Sequence, residues 1–383
     1  MRKDWEYKKL GEVAFYPNDK ISVDKIGANH YVGVENLLKD KAGILFSDQL
    51  PNAATATCFK YNDILLGNIR PYLKKIWLSN TEGGASGDVI VIRTSSDNIL
   101  PNYLFKLLSS DKFFNYFNLY TKGAKMPRGD KNAIAKFIVP TPPKPTQLAI
   151  VAELDKINEL IQLKKQQLKD YDQLAQSIFY EMFGDPVENE KGWEVKKLGE
   201  ICDIRDGTHD SPKYVEHSDY LLITSKNIEN NFISFENVNY ITEEDFLRIN
   251  KRSKVDDGDI IMPMIGTIGN PIIVKLVNNI NFAIKNVALI KFYSTSSVIN
   301  YYLQSLMKSS SFEKDITRFH KGGTQKFIAL GTIRNFKIPL PPLPLQQQFA
   351  ARIEAIERQK QQVSETIKDL ETLLASRMQY WFD

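Results

Sequence analysis

Apolar positions recur at a heptad spacing in two long stretches of the chain. Stepping 4,3,4,3 from Ile150 gives Ile150, Leu154, Ile157, Ile161, Lys164, Leu168, Tyr171, Ala175, Ile178 and Met182, nine of them apolar. The same steps displaced by 199 residues give Phe349, Ile353, Ile356, Lys360, Val363, Ile367, Leu370, Leu374, Arg377 and Trp381, eight of them apolar. A seam kept over several heptads predicts a coiled coil rather than a surface helix. The first helix is expected over roughly Thr146–Phe183, with Pro145 before it, Thr146 as N-cap, and Gly184 and Pro186 ending it. A helix of ~37 residues is about 55 Å long and cannot bury its seam alone. The connector GDPVENEKG, 184–192, is short, so the second helix must run back along the first. The expectation is an antiparallel pair and a dumbbell with pseudo-twofold symmetry.

The rest of the chain is also written twice. WEYKKLGEV at 5–13 returns as WEVKKLGEI at 193–201, NDILLGNI at 62–69 resembles GDIIMPMI at 258–265, and NYLFKLL at 102–108 resembles YYLQSLM at 301–307. PTPPKPTQ at 140–147 matches PLPPLPLQ at 339–346, and the offset grows from 188 to 199 inside the repeat and then holds. The frame is repeated and the interior is not, which suits two related but distinct binding surfaces. Each half has short strand-like runs (Asp63–Ile69 and Asp88–Arg93 in the first), then an aromatic-rich helix at about 102–118 or 301–317. A Lys/Gly loop, a short strand (AKFIVP or NFKIPL) and a Pro-rich hinge lead into the long helix. The fold class is therefore α+β: two heads of mixed β-sheet plus helices joined by the antiparallel helices. The divisions are 1–145 (first head), 146–183 (first long helix), 184–192 (linker), 193–345 (second head) and 346–383 (second long helix).

Composition narrows the function. At 43% hydrophobic and 25% charged residues, the 383-residue chain is of ordinary globular make-up. Its most apolar run, Ile260–Val274, is broken by Pro263, Gly266, Gly269 and Pro271, so no membrane span is expected, and the charged start MRKDWEYKK points to the cytoplasm. Two cysteines, Cys58 and Cys202, and four histidines at 30, 209, 217 and 320 offer no disulfide framework and no metal-ligand spacing. The net charge of +4 looks small for a DNA binder, but it is unevenly spread: +7 over 1–145, −2 over 146–183, zero over 184–345 and −1 over 346–383.

Both heads carry a basic glycine loop, TKGAKMPRGDKN at 121–132 and HKGGTQKF at 320–327. Glycine admits phosphate to backbone N–H groups, and Lys or Arg beside it neutralises the charge. Arg128, Asn132 and Gln325 have side chains able to read base edges bidentately. The candidate DNA-binding set is Arg70, Lys74, Lys122, Lys125, Arg128, Lys131, Asn132, Thr208, His209, Lys213, Lys321, Thr324, Gln325 and Lys326. The segment DGTHDSPKY, 206–214, reads as a polar turn positioning a DNA-contacting loop, and not as a catalytic His209–Asp210 site. Catalytic signatures are missing. No run fits a phosphate-binding P-loop. Asn270-Pro271-Ile272 lacks the second proline and the aromatic of an adenine-methyltransferase motif, and the triplets Glu6-Tyr7-Lys8 and Glu194-Val195-Lys196 lack a well-placed upstream carboxylate for a metal nuclease.

The W-x-x-K-x-L-G-E repeat starts, the I-x-P-x-P-P-x-x-x-Q hinges, the phrase DGTHDSPKY and the Lys/Gly loops make the chain resemble, over essentially its full length, the specificity subunit of type I restriction–modification systems. In the first hinge Val139-Pro140-Thr141-Pro142-Pro143 fits, while Lys144-Pro145-Thr146 replaces the usual apolar and acidic residues. The resemblance implies that each head is a target-recognition domain reading one half of a bipartite site in double-stranded DNA. The rod would fix the spacer and, with the hinges, dock two methyltransferase subunits; the docking and coiled-coil set is Ile150, Leu154, Ile157, Ile161, Leu168, Ile353, Ile356, Val363, Ile367 and Leu370. Motor-nuclease subunits would join them. This chain would be non-catalytic and bind no cofactor, with S-adenosylmethionine, ATP and Mg on partner subunits. The rival reading is a coiled-coil scaffold that bridges protein partners without touching DNA. A closer rival is a specificity module from a fused or different restriction class.

Overall fold

A computed structural model describes residues 4–95, 97–229, 232–265, 268–276, 280–317 and 327–383. The chain divides into two units, Met1–Lys165 with Glu365–Asp383, and Gln166–Ser364. Each contains one head, the start of the long helix that follows it, and the end of the other long helix.

In the first unit, strand Glu6–Lys9 pairs antiparallel with Ile138–Thr141, bringing the repeat start onto the Pro-rich hinge. Glu12 accepts the Lys9 N–H at 2.8 Å and so starts the short helix Leu10–Val13. A four-stranded antiparallel sheet follows in the order Ala14–Phe15, Val89–Thr94, Ile64–Gly67, Ile76–Leu78. One face of this sheet is closed by two aromatic-rich helices, through Tyr103, Leu104, Phe113, Phe114 and Phe117. The aromatic stretch is two helices, Pro101–Leu108 and Asp111–Leu119, and not one, because the Ser110 hydroxyl accepts the Phe113 N–H at 3.2 Å and starts a new helix. The same division separates Asn300–Met307 from Ser310–Thr317 in the second unit.

That unit repeats the frame with Cys202–Asp206, Val287–Phe292, Ile260–Pro263 and Ile272–Ile273 in the same order. Its hinge strand Lys337–Leu340 pairs with Glu194–Lys197. The interiors differ in topology. In the first unit, strand Gly83–Ala85 lies between Thr55–Phe59 and Tyr31–Val32. In the second, strand Tyr220–Ile223 is interior and Asn281–Ile284 is the edge. The connection across 60–63 is a tight turn, whereas 242–259 holds the helix Glu243–Ser253, capped by Thr242.

The hinge is built alike in both units. Gln147 is fully buried; its Oε1 accepts the Leu100 N–H at 2.9 Å and its Nε2 donates to Asn98 O at 2.7 Å and Pro142 O at 2.8 Å. Gln346 does the same with Ile299 N, Ser297 O and Pro341 O at 3.0, 3.0 and 2.8 Å. Tyr103 and Tyr302 donate to Pro140 O and Pro339 O at 3.0 and 2.8 Å.

The long helices span Lys144–Phe183 and Leu343–Phe382. Each begins two or three residues before the position expected from the seam. Pro145 and Pro344 lie inside the first turn, where a missing N–H costs no helical bond, and Thr146 is therefore not the N-cap. Gly184, at φ +76°, ends the first helix. Every seam position is buried or half-buried in both helices. In the first unit Lys165 meets Glu371 at 2.8 Å and Glu153 meets Arg377 and Trp381, so the two helices run antiparallel. In the second unit the same direction follows from Lys360 on Asp172 at 2.8 Å and Phe349 against Phe179 and Phe183. Ile150, Leu154, Ile157, Ile161, Ile353, Ile356, Val363 and Ile367 are buried within the chain, and Leu168 and Leu370 are half-buried. These side chains hold the helices, so any docking surface must use their other faces.

Candidate nucleic-acid interface

Beyond strand Ile64–Gly67 of the first unit, the chain continues as a rim at Asn68–Arg70. Asn68 N–H donates to Asp88 O at 2.8 Å on one side. On the other, Arg70 N–H donates to Pro127 O at 2.8 Å, and Gly129 N–H reaches Asn68 Oδ1 at 3.0 Å. The basic loop is thus docked as a small hairpin, Thr121–Lys122 against Arg128–Gly129. Gly129 fixes the dock, because a Cβ there would lie 1.9 Å from the ring of buried Phe117. Asp130 then caps the helix Lys131–Ile134 through the Asn132 N–H at 2.9 Å. Lys122, with the capped N–H groups, holds the Asp130 carboxyl below its usual range.

The structure sorts the candidate cations. Lys74 is tied to Asp111 at 2.6 Å, Lys122 to Asp130 at 3.0 Å and Arg128 to Asp88 at 3.1 Å. Arg70 and Lys125 are exposed and make no ion pair among the described residues. Lys131 lies over the Tyr16 ring at 6.0 Å, and Asn132 is exposed. Arg70 and Lys74 adopt left-handed backbone, φ 52° and 49°, on either side of the turn Pro71–Leu73, which presents Tyr72 to solvent. Left-handed non-glycine residues are costly and persist where the surroundings impose them, commonly at binding sites.

In the second unit the rim recurs. Met264 N–H donates to Asn286 O, matching the Asn68–Asp88 bond, and Ile328 N–H donates to Met264 O at 3.0 Å. Phe327 bridges Ile265 as Arg128 bridges Ile69. Lys321, Thr324, Gln325 and Lys326 lie outside the described residues. Thr208 bridges Lys285, and Gly207 must lack a side chain because a Cβ would meet Ile284 O at 2.3 Å. His209 sits between Asp206 Oδ2 at 2.8 Å and Asn286 Oδ1 at 3.0 Å. Asp206 also meets Arg252. Lys213 is exposed, and its N–H is held by Asp245 at 3.0 Å. Lys285 reaches Ser211 at 3.1 Å, and Arg248 pairs with Asp245 at 2.7 Å, depressing that carboxyl.

Sequence reasoning missed Asp88, Asn286, Tyr72, Lys285, Arg248 and Arg252. Asp88 and Asn286 were findable: each immediately precedes the apolar run that becomes its unit's central strand. No group of three or more His, Cys, Asp or Glu among the described residues could hold a metal ion. Glu6–Lys8 and Glu194–Lys196 pair internally, at 3.0 and 3.3 Å, within the hinge strands. No helix among the described residues is long and apolar enough to cross a membrane.

Two units of one frame, each with its own loops docked on a shared type of rim, define a duplicated recognition protein. The family model for the type I restriction modification DNA specificity domain matches residues 2–170 and again 190–372, and the chain belongs to that family of DNA sequence-recognition subunits. The MjaVIII type I restriction enzyme specificity subunit of Methanocaldococcus jannaschii is 24% identical, over 97% of this chain and 92% of its own length. The MjaIX specificity subunit of the same organism is 25% identical over 92% and 87%. Among solved structures, a chain from work on complex assembly and conformational transition of the type I R-M system covers 100% of this chain and 98% of its own, with TM-score 0.59 and 22% identity. The type I S subunit from M. genitalium gives TM-score 0.53 at 12% identity over 98% and 95%. These two likenesses speak for the fold.

Proposed function

We propose that each head reads one half of a bipartite site in double-stranded DNA, that the paired long helices set the spacer between the halves, and that the chain itself makes or breaks no bond. The observation that carries this reading is the recurrence of the rim among the described residues: Asn68 N–H to Asp88 O and Gly129 N–H to Asn68 O in the first unit match Met264 N–H to Asn286 O and Ile328 N–H to Met264 O in the second, beside unlike side chains. A common frame with unlike loops is what two unlike half-sites require. The candidate contacts divide into phosphate-binding cations without carboxylate partners among the described residues (Arg70, Lys125), exposed Lys131 and Lys213, and polar side chains suited to base edges (Arg128, Asn132, Thr208), while His209 has both ring nitrogens engaged by Asp206 and Asn286. Lys74 and Lys122, already neutralised by Asp111 and Asp130, contribute less than their charge suggests.

Two methyltransferase subunits dock on the outer faces of the helices and the hinges, since the seam is buried. They bring S-adenosylmethionine, and motor-nuclease subunits bring ATP and Mg; the assembly works in the cytoplasm. The family match favours this reading over a DNA-independent scaffold.

The test is binding of the Lys125→Ala/Arg128→Ala double variant to duplex across salt concentrations, with and without co-expressed methyltransferase. Weaker binding is expected, with a log–log salt slope shallower by about 1, the share of the phosphate-binding Lys125. Unchanged affinity at every salt concentration would remove this loop from the interface.

A further inference from the structure

Arg128 differs from the other cations of the first unit in how its carboxylate partner holds it. The contact to Asp88 Oδ1 uses Nε, at 3.1 Å. The two Nη nitrogens make no hydrogen bond among the described residues, and about half of the side chain is exposed (52%). Asp88 is itself fixed: its carbonyl accepts the Asn68 N–H at 2.8 Å, and Val89 after it enters the central strand. The backbone of Arg128 is fixed as well, bridged to Ile69 and followed by Gly129 locked over Phe117. The guanidinium is therefore oriented from both ends, with two parallel donors directed away from its anchor.

Phosphate binding asks for none of this, and a carboxylate beside the cation disfavours an approaching phosphate. Arg70 and Lys125, with no carboxylate partner among the described residues, meet that need better. Two adjacent acceptors in one plane are what the free edge fits, and in duplex DNA the major-groove edge of guanine, O6 with N7, supplies them. We propose that Arg128 reads a guanine in the half-site of the first head and that Asp88 is its positioning residue. This rests on the DNA-reading function proposed above.

The second unit uses the matching rim position differently: Asp206 Oδ2 takes one ring nitrogen of His209 at 2.8 Å, so His209 has no free edge of the Arg128 kind. Asn286 occupies the Asp88 position on the rim and holds a ring nitrogen of His209 at 3.0 Å. In each head the residue just before the central strand thus contacts an exposed side chain, but only in the first does that side chain keep a free pair of donors.

The test uses the full chain in its methyltransferase assembly and reads the adenine-methylation motif by sequencing host DNA, with random-sequence duplex as the probe of general affinity. Arg128→Lys keeps the charge and loses the fork. Both it and Arg128→Ala are expected to relax one position of the motif from guanine to any base, a loss of selectivity of about 5- to 150-fold. Asp88→Asn and Asp88→Ala are expected to relax the same position while raising affinity for random duplex, a sign that loss of structure would not give. Asp88→Ala added to Arg128→Ala should change the motif no further. An unchanged motif with methylation lowered at every site overturns the proposal and makes Arg128 a phosphate contact. Failure of the underlying reading has a different signature, namely random-duplex affinity indifferent to Lys125→Ala/Arg128→Ala at all salt concentrations.

Discussion

Gln147 offers the sharpest test of how a head is fastened to its helix. Its side chain is fully buried and makes three hydrogen bonds, all to backbone groups of the hinge region. Gln147→Ala deletes them together, leaving the Leu100 N–H and two carbonyls without that partner. At about 1 kcal/mol per net bond the loss is about 3 kcal/mol, and the cavity left in a packed site raises it to about 3–5 kcal/mol. That is a large fraction of the ~5–15 kcal/mol that holds a typical domain. Urea unfolding would be followed by tryptophan fluorescence, since Trp5, Trp77 and Trp381 belong to the first unit and Trp193 to the second. With m of about 1–3 kcal/mol per M, the midpoint of the first unit should fall by roughly 1–5 M while m is kept. Gln346→Ala should act equally on the second unit. Gln166→Ala, on an exposed helix face, should stay within about 0.5 kcal/mol of the parent. A loss below about 1 kcal/mol at Gln147, or an equal loss at Gln166, refutes the fastening.

Three further outcomes follow from the geometry. Arg377, assisted by the Trp381 N–H, lowers the Glu153 carboxyl below its usual range, so its stabilisation is present above the unfolded value of about 4.3 and disappears as pH falls through the lower folded value; the stability gap between parent and Glu153→Gln should close in that acid window, and thermal melts from pH 7 to 2.5 measure it. Burial raises the Cys202 thiol to about 12, so mass spectrometry after brief alkylation at pH 8 should find Cys202 unlabelled in native protein and labelled in urea. Adding one heptad to each long helix should lengthen the unspecified spacer of the methylation motif and leave both half-sites unchanged; a constant spacer would exclude the helices as its ruler.

The helices and frame were legible because their signals are long. A heptad seam accumulates over many turns, and Gln147, Tyr103 and the hinge prolines recur 199 residues on as Gln346, Tyr302 and their partners. Helix ends were not legible to the residue, because proline is equally at home before a helix and in its first turn, and Ser110 cuts a helix that hydrophobicity alone runs together. The head interiors were least legible. Their strands are as short as two residues, and which strand is central depends on long-range pairing, as the exchanged order of Gly83–Ala85 and Tyr220–Ile223 shows. The basic loops were visible as charge. That Asp111, Asp130 and Asp88 claim Lys74, Lys122 and Arg128 was not, since those carboxylates are brought in by the fold.

The first unit is assembled from segments made far apart in time. Trp5 stacks on Trp381 with ring centroids 6.3 Å apart, Phe382 lies on Tyr103 at 5.8 Å, and Lys112 Nζ donates to Phe382 O at 2.7 Å across 270 residues of sequence. Phe183 does for Tyr302 in the second unit what Phe382 does for Tyr103, but it is synthesised before that unit's head begins. The head that leaves the ribosome first is therefore the one that finishes last. Until residues 365–383 arrive, the surface around Tyr103 that Phe382 covers stays open to water or to wrong partners. Stalled synthesis near the end of the message should leave a second unit with all its parts beside an unsealed first one, a vulnerability set by chain order in a molecule whose two folded frames are alike.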